Sequence, residues 1–200
     1  MRSLYEFINR DKLKNYTGYS YSPKNKKELQ KIIDSRPLNA DLNDIDVSKI
    51  MDMDGLFENT FFCGDISQWN VSNVKTMKAM FKDSTFDGDI SSWDVSKVED
   101  MSEMFKSSAF NGDISKWNTH SVRNMDSMFE DSNFNQPIGN WDVRKVRNIR
   151  SIFANSEFNQ NIDNWKVFIS KPEDMENAFT NSPLEDNLPK WFTSIFFEED

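Results

Sequence analysis

Few residues in this chain are equipped for chemistry. Its 200 residues include one histidine, His120, and one cysteine, Cys63. A single imidazole is at most one acid–base group, and spacing places no Ser/Asp or Cys partner beside it. A single cysteine excludes an internal disulfide framework and a thiolate-rich zinc site. Cys63 takes a turn position held elsewhere by Asp87, Asn111, Asn135 and Asn159. It reads as an accessible thiol able to link two chains under oxidising conditions, not as a nucleophile. There is no P-loop and no dinucleotide fingerprint. The pairs Gly64-Asp65, Gly88-Asp89 and Gly112-Asp113 offer one carboxylate per turn. That is too few oxygens for calcium, so they read as turn caps. The chemistry therefore points to no enzyme, no cofactor and no metal.

What remains is charge. There are 33 acidic and 24 basic residues, a formal charge of -9. Acidity of this size disfavours non-specific nucleic-acid binding, which needs basic surface. The division along the chain is uneven. Residues 1–37 hold nine Lys/Arg against four Asp/Glu, a net +5; residues 38–200 hold fifteen against twenty-nine, a net -14. Inside the acidic part lies one basic patch: His120, Arg123, Arg144, Lys145, Arg147 and Arg150. It reads either as a docking site for an acidic protein, glycan or nucleic-acid backbone, or as a solvated face. His120 and Arg144 replace the serines at 48, 72 and 96. If those serines cap helices, a cap worth ~1 kcal/mol has been given up there, which favours docking. A polar row that includes Asp94, Asn118 and Asp142 is a second candidate surface, with hydrogen-bonded solvated side chains as the alternative.

These residues are placed by a repeat. Trp69, Trp93, Trp117, Trp141 and Trp165 are each 24 residues apart, and Trp191 follows 26 later. A fixed period of this size signals a repeat array. Other columns keep the same register: Met77, Met101, Met125, Ile149; Met80, Met104, Met128, Ile152; Phe81, Phe105, Phe129, Phe153; Phe86, Phe110, Phe134, Phe158. Upstream, Ile45 takes the tryptophan slot. About six repeats result, five in strict register. The basic patch falls in the third and fourth tryptophan-bearing repeats.

Within a repeat, residues 90–95 alternate apolar and polar, the mark of a short strand. Ser96 and Glu99 form a capping-box pattern. Val98, Met101, Met104 and Phe105 then mark one face of a short helix. The expected fold class is α/β, a leucine-rich-repeat-like solenoid of about six strand–helix repeats. Stacking buries what one repeat cannot. Solenoid ends need caps. Residues 1–37 form a basic N-terminal capping segment, with an amphipathic helix over 23–34 capped by Ser22. Residues 38–190 form the array. Residues 191–200, with Trp191, Phe192, Phe196 and Phe197 before an acidic tail, form an aromatic C-terminal cap.

The unit FDGDISSWDVSKVEDMSEMF at 86–105 resembles the repeat of BspA-like leucine-rich-repeat proteins, in the Mycoplasma-type version with a Trp-Asp-Val-Ser core and a Met-Phe pair. The resemblance covers residues 21–191. It implies a surface or secreted binding protein, with adhesion to host factors as the usual role. The start MRSLYEFINRDKLKNY lacks a signal-peptide core or a lipobox cysteine. No apolar run approaches the ~20 residues of a membrane span. The expected location is cytoplasmic as written, or extracellular if an export signal was trimmed. Two functions follow. One is a non-enzymatic protein-binding solenoid without a small-molecule substrate. The other is a small acidic intracellular or phage-encoded inhibitor, which occupies the basic groove of a nucleic-acid-handling or CRISPR-type protein.

Overall fold

Side chains that recur every 24 residues can share one environment only if the chain returns to the same place every 24 residues. In a computed structural model, which describes residues 18–194, it does. Isolated parallel bridges join Asp52, Thr76, Asp100, Asn124 and Asn148 in one continuous ladder. Two further bridges, Tyr21 to Ile45 and Asp41 to Asp65, extend the same register into the lead-in.

Hydrogen bonds between coils repeat as regularly as the residues. The N–H groups of Met77, Ala79, Phe81 and Asp83 donate to the carbonyls of Asp100, Ser102, Met104 and Lys106, at 2.8–3.0 Å. The carbonyls of Thr76, Lys78, Met80 and Lys82 accept from the coil before, through Met53, Gly55, Phe57 and Asn59. Four peptide groups per coil thus point the same way along the stack. This alignment needs left-handed residues within each coil. Gly55, Ala79, Glu103, Ser127 and Ser151 share one such column, with φ between 50° and 61°. Asn59, Asp83, Ser107, Asp131 and Asn155 share the other.

Those residues correct the expected strand and helix. Among the described residues the helices are α1 (Lys26–Asp34), a 3-10 turn at Pro172–Met175 and α2 (Lys190–Ser194). Residues 90–105 form neither a strand nor a helix but a chain of tight turns. Val98 N–H bonds Val95 O, Met104 N–H bonds Met101 O and Ser108 N–H bonds Phe105 O. Turns that close every three residues return side chains to the same side as a helix would. The i, i+3 spacing of Val98, Met101 and Met104 is therefore shared by both geometries, and two left-handed residues per coil exclude the helix.

The core is the set of columns. Phe57, Phe81, Phe105, Phe129 and Phe153 are fully buried and stack face to face, with centroids 5.6–5.7 Å apart. Phe62, Phe86, Phe110, Phe134 and Phe158 form a second column at 6.0–6.3 Å. Each tryptophan also has a polar task. Its indole N–H crosses to a carbonyl of the preceding coil: Trp93 to Ile66, Trp117 to Ile90, Trp141 to Ile114 and Trp165 to Ile138, at 3.0–3.2 Å. Trp191, despite its 26-residue gap, reaches Ile162 O at 2.8 Å. At Gly88 an added Cβ would lie 2.7 Å from the Phe86 ring, so the turn favours glycine there, although later coils carry Gln136 and Gln160 in the same column.

The ends are closed by α1 and α2. Leu29 and Ile33 of α1 are buried against the first coil, and Gln30 donates to Leu56 O. The cap of α1 is Asn25, not Ser22: its Oδ1 accepts Glu28 N–H at 3.0 Å. At the other end Phe192 packs edge-on against Phe179. Phe196, Phe197, the acidic tail and residues 1–17 of the basic segment lie outside the described residues. No helix among those described is long and apolar enough to cross a membrane.

Candidate partner-binding surface

Turns built from few backbone bonds need side chains to close them. Asp and Asn do this throughout the stack. Asp46, Asn70, Asp94, Asn118 and Asp142 each accept, through Oδ1, the backbone N–H two residues on. Asp41, Asp65, Asp89, Asp113 and Asn161 do the same at another corner. The polar row of Asp94, Asn118 and Asp142 therefore has a structural task in every coil. It also removes one argument for the basic patch. Ser96 is not a helix cap, and the turn at residues 120 and 144 keeps its Asx bond, so nothing was given up when His120 and Arg144 replaced serine.

These bonds shape the local electrostatics. The Ser96 hydroxyl, with the Ser96 N–H, holds the Asp94 carboxyl below the ordinary carboxylate range. Arg144 does so more strongly: its Nε and Nη2 donate to both oxygens of Asp142 at 2.8 and 2.7 Å. Asp142 is lowered to about 2, and the Arg144 guanidinium is raised in turn.

The basic residues fall into two groups. Three have acidic partners. Arg144 pairs with Asp142, Arg150 with Asp126 at 3.4 Å, and Arg123 with Glu99 at 3.6 Å. Two have none among the described residues. Lys145 is exposed and makes no hydrogen bond or ion pair there. Arg147 is exposed, and its Nη1 donates to the carbonyls of Arg144 at 3.0 Å and Val146 at 2.8 Å. His120 is half-buried, with Nδ1 2.9 Å from Asn118 Oδ1 and Nε2 3.2 Å from Ser121 Oγ.

To Arg123 and Arg147 the geometry adds Met51, Lys75 and Glu99. Met51, Lys75, Glu99, Arg123 and Arg147 are exposed rungs of one ladder. Each N–H from Lys75 onward donates to the carbonyl of the rung before, at 2.8–2.9 Å. Lys75 also pairs with Glu99 at 3.8 Å. The signal was present in the sequence, as the column two residues before the Met/Ile column. Elsewhere, Cys63 is exposed beside a shallow depression lined by Asn39, Asp41, Asp65 and Gly88. Among the described residues no group of three or more His, Cys, Asp or Glu is arranged to hold a metal ion.

A family profile described as Mycoplasma protein of unknown function, DUF285, matches residues 27–109 and again residues 85–191. The chain belongs to the DUF285 family. The second match starts within the first, as it does when a profile is laid twice on one repeat array. No curated protein and no solved structure matches the chain. The DUF285 region thus takes in α1, the stacked coils, the basic patch and Trp191.

Proposed function

We propose that this chain is a non-enzymatic binding scaffold of the leucine-rich-repeat-like solenoid class, with a repeat akin to that of BspA-like proteins and a protein as its partner. One observation carries the reading. Exposed rungs of one ladder vary from coil to coil while their backbone hydrogen bonds repeat. The Phe57 column is phenylalanine in five successive coils, whereas the adjoining exposed column reads Met51, Lys75, Glu99, Arg123 and Arg147. A fixed frame that displays varied side chains at regular spacing is what extended partner surfaces of repeat proteins use. The test is quantitative affinity capture with wild type and a variant with alanine at Lys75, Glu99, Arg123 and Arg147. The variant keeps its melting transition and loses the partners that wild type retains; equal retention would refute the reading.

A second reading, the acidic decoy for a basic groove, is favoured by a different corner of each coil. Asp41, Asp65, Asp89 and Asp113 form a row of one carboxylate per coil. Hydrogen bonds from Ser67, Ser91 and Ser115 keep Asp65, Asp89 and Asp113 below the ordinary carboxylate range, so the row stays charged. The rung variant separates the two readings. Decoy binding collapses as ionic strength rises and ignores the rung variant.

A further inference from the structure

We propose that the step from Arg123 to Arg147 is a docking site for a short acidic segment of a partner polypeptide. The proposal rests on the scaffold reading above and names the chemistry of its partner. The rung column runs Met51, Lys75, Glu99, Arg123, Arg147, and ion pairs satisfy its middle: Lys75 to Glu99, and Glu99 to Arg123. The next step breaks the alternation. Arg147 stacks on Arg123 through a backbone hydrogen bond of 2.9 Å, so two guanidinium groups occupy neighbouring rungs. Like charges directly opposite on a ladder repel and destabilise it.

The stack contains a like-charged step that it does compensate. Lys82 and Lys106 also lie one coil apart, but Lys82 meets Glu58 and Glu103, and Lys106 meets Glu130. Arg147 meets no acid among the described residues. Its guanidinium is nonetheless held in place. Nη1 is fixed by the carbonyls of Arg144 and Val146, which leaves Nε and Nη2 to donate elsewhere. A guanidinium fixed before binding loses little freedom when it takes a carboxylate. Exposed Lys145, two residues away, adds a second uncompensated cation.

The size of the step selects the ligand. Neighbouring rungs are ~4.8 Å apart, so the step spans a short acidic segment and not a long one. A longer polyanion would have to cross Asp142, Asp126 and Asp100 on a body whose residues 38–200 carry a net -14. Nucleic acid is repelled there, and a short acidic peptide is not.

The probe is a labelled hexaglutamate peptide, titrated by fluorescence anisotropy in low salt, with a short single-stranded DNA alongside. Arg147→Glu and Lys145→Glu each weaken hexaglutamate by about tenfold or more. Lys116→Glu, on a different turn, changes it by less than about twofold. DNA binds at least about tenfold more weakly than the peptide. Arg147→Glu also restores sign alternation in the column, so it raises the melting temperature by about 1–3 °C while binding is lost. A residue with only a structural role could not move the two readouts in these directions. The proposal is overturned by hexaglutamate binding that ignores Arg147, by DNA binding as tightly as peptide, or by a lower melting temperature in Arg147→Glu. If hexaglutamate ignores Arg147 while the alanine rung variant still loses its captured partners, the acidic-segment proposal falls and the scaffold reading stands.

Discussion

The Trp141 indole occupies the core and also donates its N–H to Ile114 O in the preceding coil at 3.1 Å. Phenylalanine would fill most of the space and remove that bond, while Ile114 O keeps the Trp117 N–H as its donor. Trp141→Phe therefore lowers stability by about 0.5–1.5 kcal/mol, read from urea denaturation. Trp141→Ala removes the ring as well and costs about 3–5 kcal/mol. The column of tryptophans was legible in the sequence, because burial imposes one residue type at one spacing. The carbonyl 27 residues back was not, because it depends on how coils stack. Aspartates at the turns set the response to acid. Asp94 and Asp142 have folded pKa values below their unfolded ones, through Ser96 and Arg144 respectively. Their contribution to stability is full above the ordinary carboxylate value of ~3.9 and is lost as pH falls through the folded value, about 2 for Asp142. Melting temperature thus declines from pH 5 to pH 2. Asp94→Asn keeps the turn, as Asn70 and Asn118 do, and makes that decline shallower. An identical decline in Asp94→Asn would contradict this account.

Each coil depends on residues with positive φ, and most of them are not glycine. Ala79 sits at φ 53° in the column that Gly55 begins at φ 61°. A left-handed alanine is strained by about 1–2 kcal/mol, and glycine relieves that strain while losing about 0.5–1 kcal/mol of chain entropy. Ala79→Gly is therefore neutral to stabilising, by up to about 1 kcal/mol, where the same change in a helix would destabilise. An unfolding free energy from urea that drops by more than about 0.5 kcal/mol would show that position 79 is not held left-handed. The element assignments were the least legible part of the sequence. Val98, Met101 and Met104 lie at a spacing common to helices and to turns of three residues. The deciding residues, Glu103 and Ser107, have no composition signal for left-handed backbone. Register was legible, and with it the pairing of Arg123 with Glu99 and of Lys106 with Glu130, since both are 24-residue steps.

Peptide groups run both ways along the stack. Those of Met77, Ala79, Phe81 and Asp83, and their counterparts in each coil, turn their N–H toward the C-terminal end, where the Glu185 carboxylate accepts Asn181 N–H at 2.8 Å. The exposed rungs turn theirs toward the N-terminal end. Anions are favoured beside exposed N–H groups and cations beside carbonyls, as at helix ends. At the N-terminal end Lys26 of α1 lies 3.5 Å from Asp52 of the first bridge. α1 buries Leu29 and Ile33 in the core and bonds Leu56 O through Gln30, so the double substitution Leu29→Asp, Ile33→Asp uncovers the end of the stack. Light scattering should show self-association of that variant, together with a loss of several kcal/mol, about 3 or more. A monomer with an unchanged melt would rule out the capping role. The position of α1 was legible from the amphipathic pattern of Leu29, Ile32 and Ile33; the exposed rungs were legible as a column, and their shared ladder emerged once the coils were laid over one another. The central claim is that these rungs meet the partner. Lysine-labelling footprints of the captured complex, read by mass spectrometry, test it most directly. Lys75 and Lys145 lose reactivity on binding, while Lys31 and Lys116 keep theirs. Protection of Lys31 or Lys116, with Lys75 and Lys145 unchanged, would contradict it.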